Sequence, residues 1–131
     1  MLVDVEKIAT FPWSPLLAQI RTPLGRTAVR WCGAQDDPAG PYHVEWTIDE
    51  EITWGRNAKP ATDSSPRIEP GGHCVVLRGQ LHLMEDGGAV LALGDARILL
   101  ELTERLPVGV AGTWVELYLD REKISLYPVT L

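Results

Sequence analysis

From Gly72 to Leu131 the chain is a succession of short apolar runs cut by turn residues, with almost no helical periodicity. That pattern limits the fold more than any other feature. The run 73–84 places Val75, Leu77, Leu81 and Leu83 on one face, with Gly79 at its centre. Side chains alternate across a strand, so this spacing buries one face of it. Asp86-Gly87-Gly88 and Gly94-Asp95 are tight-turn signals. Between them, 89–93 is a continuous apolar run of the kind covered on both faces. A strand at 96–103 follows, with Ile98, Leu100 and Leu102 inward, and then a glycine-containing connection at 107–112. The chain ends as an alternating hairpin, 113–120 and 123–128, turning around Asp120-Arg121-Glu122. A strand that bends at a glycine can serve both sheets of a small barrel. The expectation is a mainly-β fold with a small closed or half-closed barrel in the C-terminal part.

The preceding part is less regular. Residues 1–12 alternate weakly, as a short edge strand would. Ser14 to Arg21 predicts a short helix: Ser14 suits an N-cap, Pro15 suits the first helical position, and Thr22-Pro23 ends it. Residues 25–31 predict a strand with Thr27, Val29 and Trp31 on one face. In 42–54, Val44, Trp46, Ile48, Ile52 and Trp54 share a parity that Glu50 interrupts. That fits one long strand with a bulge, or a turn near Asp49-Glu50. Residues 55–72 have loop composition throughout and predict a mobile flap. The chain is thus expected to be a single domain, 1–131. Residues 1–41 form a helix and strand extension, and 42–131 form a barrel core with a long loop at 55–72.

One long strand bent at Gly79, two short strands and the final hairpin resemble an oligonucleotide/oligosaccharide-binding (OB) fold. The segment 115–128, an apolar strand, an acidic turn and the pair Leu126-Tyr127, resembles the closing hairpin of transport-associated OB domains. The chain has no phosphate-binding loop, so the ATPase setting of those domains does not carry over, and no functional residue is transferred. The resemblance implies a nucleic-acid or small-ligand binding barrel. The residues argue against nucleic acid. The expected platform strands, 89–93 and 96–103, hold no aromatic residue and one basic residue, Arg97. Single-strand binders need stacking aromatics and a basic groove. The 12 basic residues are scattered and outnumbered by 18 acidic ones, giving a net charge of −6.

Chemistry-bearing clusters are sparse. His73 and His82 are an odd number of residues apart and face opposite sides of an unbroken strand. Cys74 and His82 share a parity but stand too far apart along it to share an ion. Cys32 and Cys74 are read as free, buried thiols. His43 and Glu45 share a polar strand face. No nucleophile elbow, Walker loop or dinucleotide fingerprint is present. No metal, cofactor or enzymatic activity is expected. No stretch has the length and apolarity of a membrane span, and the acidic start lacks the character of a signal peptide, so the expected setting is a bacterial cytoplasm. What remains is interaction with a protein. Asp49, Glu50 and Glu51 form an acidic run that would dock a basic partner, and Asp36-Asp37 would extend it. Trp54 beside this run is a candidate anchor. Trp114 shares a parity with Glu116, Tyr118 and Asp120, which puts it on an outer face, and Trp13 is a further exposed aromatic. Aromatic residues flanked by polar ones are favoured interface anchors. The function expected is a non-enzymatic, acidic protein-interaction module, one form being an immunity or antitoxin-type protein.

Overall fold

The computed structural model describes residues 1–9 and 16–130. Strands β1 (Leu2–Ala9), β2 (Leu17–Thr22) and β3 (Gly25–Trp31) form an antiparallel meander. Strand β4 (Gly40–Ile48) pairs with β1 on one edge. The last strand, β11 (Ile124–Pro128), lies between β3 and β4, parallel to the first and antiparallel to the second. The order β1-β2-β3-β11-β4 closes into a five-stranded barrel. A register shift between Val5 and Lys7 supplies the local kink that curving a strand around a barrel requires.

The chain between β4 and β11 builds a second sheet from β5 (Ala58–Pro60), β6 (Arg67–Gly71), β7 (Cys74–Leu83), β8 (Ala89–Leu93), β9 (Ala96–Leu100) and β10 (Trp114–Asp120). Its order is β5-β10-β7-β8-β9, with β6 also on β7. Both sheets share one hydrophobic core, in which Ile20, Leu77, Leu91, Ile98, Leu117, Ile124 and Leu126 are fully buried. No helix among the described residues is long and apolar enough to cross a membrane.

The mainly-β class and the closed barrel agree with the sequence; the composition of the barrel does not. The expectation placed the barrel in the C-terminal part, yet four of its strands come from the first 48 residues. The expected hairpin at the end is not one. Strand β10 is occupied by β5 on one edge and β7 on the other. A 3-10 turn, Arg121–Lys123, capped by the Asp120 carboxylate accepting from Glu122 N at 2.9 Å, then carries the chain into the other sheet. The consecutive burial of Ile124, Ser125 and Leu126 suits a strand paired on both edges and covered on both faces.

The expected helix is also absent. Its described residues form β2, where Ala18, Ile20 and Thr22 are buried and Gln19 and Arg21 exposed. Ser14 and Pro15, the capping pair, lie outside the described residues, as does Trp13. A helix confined between two prolines closes too few hydrogen bonds to offset its nucleation. As a strand the same residues are bonded on both sides. Residues 55–72 are likewise not one loop: they contain β5 and β6.

Two glycines mark close backbone approaches. At Gly79 the β7 edge changes partner, from β6 (Arg67–Gly71 opposite Cys74–Arg78) to β8 (Ala89–Ala92 opposite Gln80–Leu83). A Cβ there would stand 2.5 Å from the Ala92 carbonyl oxygen. We expect Gly79→Ala to cost about 1–3 kcal/mol by overpacking, read as a lower urea midpoint at unchanged m-value. The second glycine, Gly25, is taken up in the Discussion.

Candidate functional site

The parity of 44–54 resolves into the second of its two readings. Strand β4 stops at Ile48, where Asp49 N donates to Lys123 O at 2.8 Å. The chain then turns outward through Asp49, Glu50 and Glu51. It rejoins the second sheet at Ile52, whose N–H donates to Glu101 O at 2.7 Å while its carbonyl accepts from Thr103 N at 3.0 Å. A tight turn follows, with Arg56 N and Asn57 N both donating to Thr53 O. It holds the half-buried Trp54 at the start of β5 through a bridge to the buried Ala58.

Asn57 holds this segment in place. It is 3% exposed. Its Oδ1 accepts from Thr53 N at 2.9 Å, and its Nδ2 donates to Glu50 Oε2 at 3.0 Å and Glu51 O at 2.8 Å. Its own carbonyl accepts from Tyr118 N at 2.8 Å. The other Glu50 oxygen accepts from Asp120 N at 3.0 Å. Glu50 is therefore a strut between the acidic turn and the end of β10, with both oxygens engaged inside the protein. Glu50 is half-exposed, while Asp49 and Glu51 are exposed. Asp37 is also engaged internally. Its carboxylate accepts from the Trp31 indole at 2.9 Å and from Ala34 N at 2.7 Å. Burial and the nearby Asp37 charge raise the Tyr42 phenol above its ordinary value.

Trp54 and Trp114, far apart in sequence, come together. Both are half-buried and both line a groove of about 490 Å³ with Pro60, Ala61, Ser64, Gly109, Val110 and Thr113. Trp114 opens β10, opposite Gln80, and its carbonyl accepts from Ala61 N at 3.0 Å. Its outward parity is as the sequence gives it: Val115, Leu117 and Leu119 are buried while Trp114, Glu116 and Tyr118 are half-exposed. One groove wall is the 107–113 connection, where Gly109 and Gly112 take φ of +91° and +83°. Gln80 Nε2 donates to Gly112 O at 2.8 Å and secures that wall.

The other wall, residues 61–66, is held by Arg78. Its Nε donates to Ser65 O at 2.8 Å, and its Nη1 lies 3.4 Å from Glu116 Oε2. Both side chains of this pair are largely buried. Glu116 Oε1 in turn accepts from the Tyr118 hydroxyl at 3.0 Å, and the Lys59 ammonium sits 4.7 Å from the Tyr118 ring centroid. The Tyr118 phenol, aided by Glu116, holds the Lys59 pKa above its ordinary value. Asn57, Arg78 and the groove walls were not singled out in the sequence; within a loop-like composition nothing marks which polar residue becomes buried.

Other candidates do not converge. His43 and His73 are exposed and His82 is half-exposed, on separate strands or strand ends. Cys32 and Cys74 are free and partly exposed, not buried. No group of three metal-ligating side chains gathers among the described residues. Compared with known proteins, the chain matches no family model, no curated protein and no solved structure.

Proposed function

We propose that this protein is a non-enzymatic interaction module that docks a basic protein partner on the surface formed by the Trp54–Trp114 groove and the exposed carboxylates Asp49 and Glu51. The observation that carries this reading is the meeting of the two tryptophans in one groove whose walls are tied to the sheet by side-chain hydrogen bonds from Arg78 and Gln80. A preformed apolar groove with rigid aromatic anchors loses little freedom on binding. The exposed carboxylates Asp49 and Glu51, on the turn that precedes Trp54, favour a cationic partner and speed its approach. An immunity or antitoxin-type role is the form of this reading that suits a small acidic chain.

The barrel also supports an OB-like reading. OB barrels bind ligands on the face of their second and third strands and on the loops joining the first to the second and the fourth to the fifth. Taking β11 as the fifth strand, the whole second sheet is the connection between fourth and fifth, and it carries both groove tryptophans. The same assignment moves the platform from 89–103 to β2 and β3. Arg21, Arg26 and Arg30 are exposed there, which favours a second reading, single-stranded nucleic acid on that face. Glu6, however, lies 3.7 Å from Arg21 and 3.8 Å from Arg26, and the described residues of these strands bring no exposed aromatic.

Charge reversal separates the two. Asp49→Lys with Glu51→Lys should weaken capture of the partner about tenfold or more and reverse its salt dependence. Trp114→Ala should cost about 2 kcal/mol or more of binding. Arg21→Glu with Arg26→Glu should leave capture unchanged. Loss of binding in the arginine variant alone, with tryptophan quenching by oligonucleotide in the parent protein, would establish the second reading instead.

A further inference from the structure

The backbone of the Trp54–Trp114 groove excludes one common kind of occupant. On the β5 side, Ala61 N donates to Trp114 O at 3.0 Å and Asn57 O accepts from Tyr118 N at 2.8 Å. Strand β5 therefore bonds toward β10 at every second residue and turns Ala58 and Pro60 outward. Ala58 is already bridged to Trp54, with Gly55 N donating to Ala58 O at 2.8 Å, and Pro60 has no N–H. The opposite wall is coiled on itself. Val110 N donates to Pro107 O at 3.3 Å, Thr113 N and Thr113 Oγ1 both donate to Val110 O, and Gly112 N donates to Leu81 O at 2.7 Å. Among the described residues neither wall presents the row of N–H groups that an added strand requires.

What the groove offers is aromatic and apolar: Trp54 and Trp114 line it with Pro60, Ala61, Gly109 and Val110. Among the described residues the two indoles do not pack on each other, and neither indole N–H donates to a protein group or is buried. A polyproline II helix has no internal hydrogen bonds and a fully solvated backbone. It needs no ladder, only aromatic walls and side-chain donors for its carbonyls. The charge around the groove is acidic. Glu51, on the turn before Trp54, and Asp63, beside the groove residue Ser64, are both exposed. The cations of the same stretch are engaged internally. Arg56 donates to Glu51 O at 3.2 Å, and Lys59 sits over the Tyr118 ring.

We infer that the groove takes a proline-rich segment in the polyproline II conformation, flanked by arginine or lysine, from a partner protein. The inference rests on the reading of this groove as the docking surface for a basic partner and names the element that enters it. The prolines stack on the two indoles, whose N–H groups donate to the segment's carbonyls. Glu51 and Asp63 set its direction by holding the basic end.

The test uses the full chain and three blocked nonapeptides. One has two arginines followed by seven prolines. The second has glutamates in place of the arginines. The third keeps the arginines but replaces the prolines with a flexible Gly/Ser sequence. Titration calorimetry should show saturable 1:1 binding of the Arg-Pro peptide. The Glu-Pro peptide should bind about tenfold more weakly or worse for want of charge complementarity, and the Gly/Ser peptide likewise, because it is not preorganised. In heteronuclear NMR spectra the indole N–H signals of Trp54 and Trp114 should shift, while those of Trp31, bonded to Asp37, and of the buried Trp46 stay in place. Trp54→Leu keeps an apolar side chain and should also weaken binding about tenfold. No binding of the Arg-Pro peptide, equal binding of the Gly/Ser peptide, or shifts at neither groove indole overturns the inference without any variant having to fold. The reading beneath it is judged separately. A protein cross-linked from position 114, and lost when Asp49 and Glu51 are changed to Lys, would keep the docking surface even where the proline peptide fails. Failure of both would remove both.

Discussion

Gly25→Ala is expected to destabilise this protein by about 3–5 kcal/mol, the large end of single-substitution effects. Gly25 opens β3 at φ +139°, a conformation that L side chains rarely adopt, and a Cβ there would lie 2.0 Å from the Ile68 carbonyl oxygen. Two costs therefore add. Forcing a non-glycine residue into this region costs about 1–3 kcal/mol. The clash is with backbone, so no rotamer change relieves it. Beside it, Ile68 N donates to Leu24 O at 3.0 Å, and Thr22 Oγ1 accepts from Leu24 N while donating to Gly25 O. This is where β6 of the second sheet rests on the β2–β3 turn of the barrel, so moving either backbone separates the two sheets. At roughly 4 °C per kcal/mol for a domain of this size, the melting temperature should fall by about 12–20 °C. Gly40, also at positive φ but with open space around its Cβ position, is the control: Gly40→Ala should lose the conformational part alone.

The second large effect is expected at Asn57. Asn57→Ala removes one acceptor and two donors at a buried position. It leaves Thr53 N without its partner and Glu50 held by one bond instead of two. Stranding buried polar groups costs about 1–3 kcal/mol each, so a loss of about 2–4 kcal/mol is expected. Asn57→Asp keeps the acceptor for Thr53 N but sets a carboxylate against Glu50, and should be no better. Thermal melts give the size. Amide exchange gives the place: protection should drop first at Thr53 and Asp120. Because Asn57 also sets the positions of Glu51 and Trp54, partner binding should weaken beyond the fraction unfolded. A melt unchanged within about 0.5 kcal/mol would show that the bracket is not holding the turn.

The two positions mark what the sequence makes legible. The tight turns at 86–88 and 94–95 and the strands beside them, 74–83 and 89–93, follow from local alternation and glycine chemistry, and they are found in the structure. Partnership between strands does not follow from local pattern. Strand β11 carries hairpin chemistry with β10 next to it, yet pairs with β3 and β4, because both edges of β10 are already taken. The same blindness turned β2 into a helix: Pro15, Leu16 and Leu17 satisfy local helix rules, while the ladders that decide the matter come from β1 and β3. At the site, Trp114 was legible from its outward parity and Trp54 from its acidic neighbours. Their meeting was not, since it depends on how β5 and β10 pair. Glu50 looked solvated because a carboxylate in an acidic run gives no sign that Asn57 and Asp120 N will engage it.

The most direct test of the proposed function is photo-cross-linking from the groove itself. Benzoylphenylalanine is placed at Trp114 and, as a control, at the exposed Gln19 on the barrel, and both proteins are irradiated in the cells that make them. The groove reading predicts one dominant protein adduct from position 114. That adduct should be absent from position 19 and lost when Asp49 and Glu51 are changed to Lys. Adducts to nucleic acid from position 19, with none from 114, would contradict it.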